Sequence, residues 1–286
     1  MSRVGAYEFG WRPDLADHRD YTFRQKAIAT MLRNLPRRAR KAGKLPAAVD
    51  WREYCGPVED QQDLATSTAH ACVGLVQYFE RRSSGRLLEL SRLFVHGNAC
   101  RLEGGDANRS VSLRSVLSAT VRCGIPPERH WPYSRLHLNR QPDAFAYSFQ
   151  RDFRRLCYLR LDSRQLASPD LLEQLKAFLS AGFSIAFGFP VCNSIGDTGQ
   201  IALPNAADEI VGGQAVVAVG YDDRLRIRSD KGALLVRNSW GPGWGESGYG
   251  WLPYSYVEQR LAVDFWTLMK PTWLRSGEFE MPSIMQ

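Results

Sequence analysis

Apolar residues along the chain follow two different rhythms, one in each half. A polar, turn-rich start gives way to an amphipathic stretch over Arg24–Leu35, which Pro36 stops. From Ala65 to about Arg82 the residues Cys72, Leu75, Val76 and Phe79 recur at three- and four-residue spacing, which predicts a helix with Thr66 as its N-cap. A second helical pattern covers Ser112–Cys123 and ends at Gly124 and the Pro126-Pro127 pair. A third covers Pro169–Ala181, followed by Gly182 and the run "FSIAFGFPV", which reads as a buried strand. Beyond it the rhythm shortens. "QAVVAVGYDD", "GALLVRNSWG", "GYGWLPYSYV" and "LAVDFWTLM" are strand-like runs separated by glycine and aspartate turns. Helices gathered early and strands gathered late predict an α+β protein of two lobes with a cleft between them.

Composition adds a boundary. Residues 1–44 read as an N-terminal extension, and globular composition begins with "LPAAVDWREY" at Leu45; residues 45–286 form the domain, mainly helical over about 50–135 and mainly β over about 136–286. Eight Lys/Arg and no acidic residue lie between Tyr21 and Val49, which exceeds the whole net charge of +7 and leaves the rest slightly acidic. An acidic partner for residues 21–44 is one reading of that run, and a solvated linker is the plainer one. It lacks interleaved aromatic residues, so nucleic acid is not expected. No apolar run approaches the roughly 18–20 residues of a membrane span. The start "MSRVGAYEFGWRPDLADHRD" has no apolar core of a secretory signal. Six cysteines stand singly, without Cys/His ligand spacing, which predicts free thiols, a cytoplasmic setting and no metal site.

Three separated segments carry the chemistry: "VDWREYCGPVEDQ" with the helix opening at Ser67, "GGQAVVAVGYDD", and "LLVRNSWGPGWGESGYGWLP". In this order they resemble the papain family of cysteine peptidases in its bacterial form, with Asn238-Ser239-Trp240-Gly241 as the most specific part. The resemblance implies a helical left lobe facing a β-barrel right lobe, and catalysis without a cofactor. It implies a thiolate at a helix N-terminus, a histidine across the cleft, an asparagine that orients it and a glutamine that helps bind the oxyanion.

Mapped onto these positions, Gln61 is the oxyanion glutamine and Asn238 the orienting asparagine, with Trp240 beside it. Gln62 and Ala65 stand on usual glycines. Ser67 stands at the nucleophile position and Gln214 at that of the base. A serine hydroxyl needs a neighbouring base, and an amide cannot shuttle a proton. Loss of nucleophile or histidine costs serine proteases about 10⁶ in turnover. Of the five histidines only His70 lies near Ser67, three residues along the same helix, and it reads as a packed core residue. A neutral hydrogen bond between Ser67 and Gln214, extended by Asn238, would replace the charged pair.

The expectation is therefore a catalytically inactive papain-like protein that binds or scaffolds a peptide or protein. The alternatives are a peptidase seen as an inactivated variant, a weak Ser67-dependent hydrolase, and a function carried by the basic segment. Ala65, Trp240 and the exposed backbone of Gly104-Gly105 are the candidate peptide-binding positions. Asp222-Asp223 and Glu246 read as structural turn residues. Trp11, Asp14, Asp17 and Asp20 resemble the leader of bacterial relatives, read here as bracing the fold, with a cleft-blocking role as the other reading.

Overall fold

A computed structural model describes residues 7–37, 45–162 and 168–285. Of the basic run "RRARK", only Arg37 falls within them. The helical lobe is built on α2 (Ser67–Ser84), α3 (Arg92–Leu102) and α4 (Leu113–Cys123), with α1 (Lys26–Arg33) in the leader. Helix α2 is buried from Ser67 through Glu80 and ends where Gly85 adopts a left-handed conformation, φ 72°. Thr66 does sit at its N-cap position, but its side chain makes no capping bond. The hydroxyl faces Tyr133 Oη at 2.6 Å instead. Helix α3 was not expected. Its residues Arg92–Cys100 are all buried, so no polar stripe betrays the helical period.

The second lobe is one mixed-length antiparallel sheet. Its strands are β1 (Ala48–Asp50), β2 (Cys157–Arg160), β3 (Ile185–Cys192), β4 (Ile210–Ile227), β5 (Asp230–Arg237), β6 (Tyr249–Pro253) and β7 (Val263–Met269). They run in the order β2-β7-β3-β4-β5-β6, with β1 on β4. The sheet is open, which corrects the barrel expectation. Strand β4 is long enough to pair with β3 through its first half and with β5 through its second. Closure would need the two edges to meet. Instead short β2 is bridged by the leader at Tyr21–Leu159, and β6 by Gln200–Trp251. Helix α5 (Ser168–Ser180) and the short α6 (Ser255–Glu258) and α7 (Pro271–Leu274) complete the fold.

All six cysteines are free. Burial pushes the Cys72 and Cys100 thiols up to about 12, so neither is a ready nucleophile. No helix among the described residues is long and apolar enough to cross a membrane.

Candidate functional site

The lobes meet where the N-terminus of α2 faces the first half of β4. Ser67, the first residue of α2, is fully buried, and its Oγ accepts from the Ala215 amide at 3.3 Å. Gln214, also fully buried, precedes Ala215 on β4. Its Nε2 donates to Gln61 Oε1 at 2.8 Å and to Asn238 Oδ1 at 2.9 Å, with Ser239 Oγ at 3.1 Å. Ser239 Oγ in turn donates to Gln61 Oε1 at 2.6 Å. The expected bond from Gln214 to Asn238 is present. The expected bond from Ser67 to Gln214 is replaced, because the hydroxyl turns to a backbone N–H that β4 leaves free while the amide finds stronger partners in Gln61 and Asn238. Gln61, Gln214 and Asn238 thus form a chain of carboxamides, none of which titrates in the physiological range.

Residues 7–11 of the leader lie between the lobes, directly over Ser67. Tyr7 stacks on Trp240, with ring centroids 5.2 Å apart, and its hydroxyl donates to the Trp240 carbonyl at 2.9 Å. Gln61 Nε2 donates to the Glu8 carbonyl at 2.8 Å. The Val111 amide donates to the Gly10 carbonyl at 3.3 Å, and the Trp11 amide to the Gly213 carbonyl at 3.1 Å, so the segment joins both lobes through its backbone. Ser110 Oγ adds a bond to the Phe9 carbonyl at 2.8 Å.

Glycines shape the bed for this segment. A Cβ at Gly212 would stand 2.3 Å from the Phe9 ring, and one at Gly188 would stand 1.9 Å from the Trp11 ring. The Trp11 indole N–H donates to buried Asp264 at 3.3 Å. Burial lifts the Asp264 carboxyl to about 6, against the pull of Arg160 beside it. Farther along, Asp14 pairs with Arg114, and Asp20 with Arg114 at 2.7 Å and Arg160 at 3.8 Å. Asp17 pairs only locally, with Arg19 and His18. The leader therefore both braces the fold and fills the cleft over Ser67.

The other singled-out residues are placed as follows. Ala65 is buried beneath Gly10. Trp240 is buried against Tyr7 and Trp244. Gly104 and Gly105 lie in the turn after α3, where Gly104 takes φ 72°; the backbone held by the leader is that of Val111. Gln62 adopts φ 55°, a conformation that favours glycine, and Asp60 Oδ1 steadies it by accepting from its amide at 2.7 Å. His70 is buried, with Nδ1 3.0 Å from the Thr66 carbonyl, and burial lowers its imidazole to about 4. It is a core residue, and it lines a small internal cavity with Ala215, Asn238 and Ser239. Asp223 pairs with Lys176 and Tyr254, Asp222 with Arg224, and Glu246 with Arg52. Among the described residues no cluster of three His, Cys, Asp or Glu could hold a metal ion.

A glutamine, a helix-borne small residue and a buried amide at the junction of a helical and a sheet lobe define a peptidase-type cleft. The chain belongs to the papain family: the model for papain family cysteine proteases matches residues 45–260. An uncharacterised peptidase C1-like protein of Acanthamoeba polyphaga mimivirus is 32% identical over 222 residues, covering 74% of this chain and 70% of its own. Mexicain of Jacaratia mexicana is 25% identical over 216 residues, covering 71% and 86%. The crystal structure of xylellain, a cysteine protease from Xylella fastidiosa, superposes with a TM-score of 0.72 at 30% identity, over 92% of this chain and 96% of that one.

Sequence reasoning did not find Glu8, Gly10, Ser110, Val111 or Ala215, and it named Ser239 only as part of the Asn238–Gly241 motif. The signal available for the first two was the "YEFGW" string, a glycine between two aromatic residues, matched by the paired Gly212-Gly213. Backbone donors such as Ala215 and Val111 leave no trace in residue type.

Proposed function

We propose that this chain is a non-proteolytic member of its family, a binding or scaffolding protein for a peptide or protein partner. The observation that carries the reading is the bonding of Gln214 to Gln61 and Asn238 while Ser67 faces a backbone amide. The backbone amide that Ser67 Oγ faces cannot take its proton, and the carbonyl of Glu8 already uses the Gln61 donor. A partner entering the cleft must displace Tyr7–Trp11, whereas one on the outer surface need not.

The test compares the unmodified chain with a Ser67→Cys/Gln214→His double variant, each also prepared without residues 1–13, on a mixed peptide library. The expected outcome is no cleavage by either unmodified form and cleavage by the shortened double variant. Turnover by the unmodified chain that Ser67→Ala abolishes would overturn the reading.

A further inference from the structure

Away from the cleft, residues 129–155 carry six arginines, no lysine and two aspartates, on a chain whose remainder outside the leader is slightly acidic. This stretch includes the 3₁₀ helix Ala144–Phe153. His130 holds it in place from the preceding turn, with ring centroids 5.1 Å from Phe145 and 5.6 Å from Phe149. Phe145 and Phe149 meet edge to face at 5.6 Å. Phe145 is 57% exposed at the centre of this cluster. Arg129, next to His130, Arg151, two residues past Phe149, and Arg155 are exposed along the same stretch.

We infer that this surface docks an acidic polypeptide segment bearing an apolar side chain, with Phe145 as the anchor and Arg129, Arg151 and Arg155 as the carboxylate receptors. Arginine forks match carboxylates bidentately, and an exposed aromatic ring on the same stretch adds apolar contact. Charge complementarity selects the sign of the partner. The ring geometry selects a peptide over single-stranded nucleic acid. Successive bases need successive open ring faces. Here Phe149 covers His130, His137 covers Trp131 at 4.6 Å, and Arg92 covers Tyr133, which leaves one open anchor. Phe145, Arg129, Arg151 and Arg155 are not among the hydrogen-bond partners of Ser67, Gln61, Gln214 or Asn238, so the surface stands whatever the state of the cleft.

The experiment titrates the full chain with a labelled peptide of mixed Glu and Asp carrying one central leucine, followed by fluorescence anisotropy. Comparators are the same peptide with serine for leucine, its lysine counterpart and an oligouridine RNA. Binding of the acidic leucine peptide is expected. Phe145→Ser and, separately, Arg129→Glu/Arg151→Glu should each weaken it by about tenfold or more. Arg37→Glu/Lys41→Glu in the leader should leave it unchanged. Phe145, Arg129 and Arg151 are exposed, and a thermal melt reports whether each variant folds; should Phe145→Ser unfold the chain, the charge-reversal pair decides. No preference for the acidic peptide over the lysine one would overturn the inference. So would affinity that follows the leader variant rather than the patch, or tighter patch-dependent binding of the RNA.

Discussion

Gly10 passes so close to Ser67 that a Cβ on it would stand 2.6 Å from the Ser67 amide nitrogen and 2.5 Å from the Ala65 carbonyl. Both obstacles are backbone, at the start of a buried helix, and cannot give way. Gly10→Ala is therefore expected to cost about 1–3 kcal/mol or to lift the leader out of the cleft. Limited proteolysis followed by mass spectrometry checks this: cuts within residues 7–20 should appear in the variant well before they appear in the unmodified chain.

Trp11 is buried, with its ring over Gly188 and Gly213 and its N–H on Asp264. Trp11→Ala removes that ring and leaves a void over two glycines that nothing nearby can fill. A loss of about 3–5 kcal/mol is expected from chemical denaturation. A loss under about 1 kcal/mol would mean the ring is not seated as described.

Gln214→Leu keeps the size of the side chain and removes both donors. Gln61 Oε1 would keep only Ser239, and Asn238 Oδ1 only the Ser239 amide. The buried amides left short of partners should cost about 1–3 kcal/mol in the denaturation midpoint.

Gln62→Gly should stabilise the fold by about 0.5–1 kcal/mol, because the left-handed conformation at φ 55° strains any residue with a Cβ. Glycine's extra freedom in the unfolded chain limits the gain. The thermal midpoint should rise. Gln62→Val should lower it.

Acid should destabilise the protein through its buried histidines. His70 is held near 4 by burial and His96 is lowered by the same cause. As pH falls below the ordinary histidine value of 6.5, the unfolded chain takes the proton first, so stability present above that value is lost on the way to 4. The His70 contribution is on the order of 3 kcal/mol. Asp264 acts in the opposite sense. With its carboxyl raised to about 6, the folded state takes the proton first between about 6 and 4, which partly offsets the loss. In urea denaturation at about pH 7 and pH 4.5, His70→Asn should narrow the gap between the two midpoints, and Asp264→Asn should widen it.

Elements with an apolar period or an apolar run were legible in the sequence, α2 and β3 among them although both are buried over most of their length. Helix α3, whose buried residues include Arg92, His96 and Asn98, was not. Helix α4 shows its period because one face is wet, whereas α3 buries polar residues among its apolar ones and hides it. Strands β3, β5 and β7 were found as apolar runs, but their order and the open edge depend on pairings between residues far apart in the chain. At the site, Gln61, Ser67, Gln214 and Asn238 were legible as a set because their order along the chain follows the family. Their bonding was not, since the direction of Ser67 Oγ is decided by a backbone amide. The glycine at 10 was visible, but not that it lies against the start of α2.

The glycines at 188, 212 and 213 have a consequence for the chain stripped of its leader. Without Phe9 and Trp11 above them, β3 and β4 would present a trough with no side chains on its floor, bordered by the free Val111 amide and Gly213 carbonyl. Such a surface is a template for strand addition by any extended polypeptide, including the leader of a neighbouring molecule. Residues 7–11 occupy that template, and Trp11 among them is itself part of the hydrophobic core.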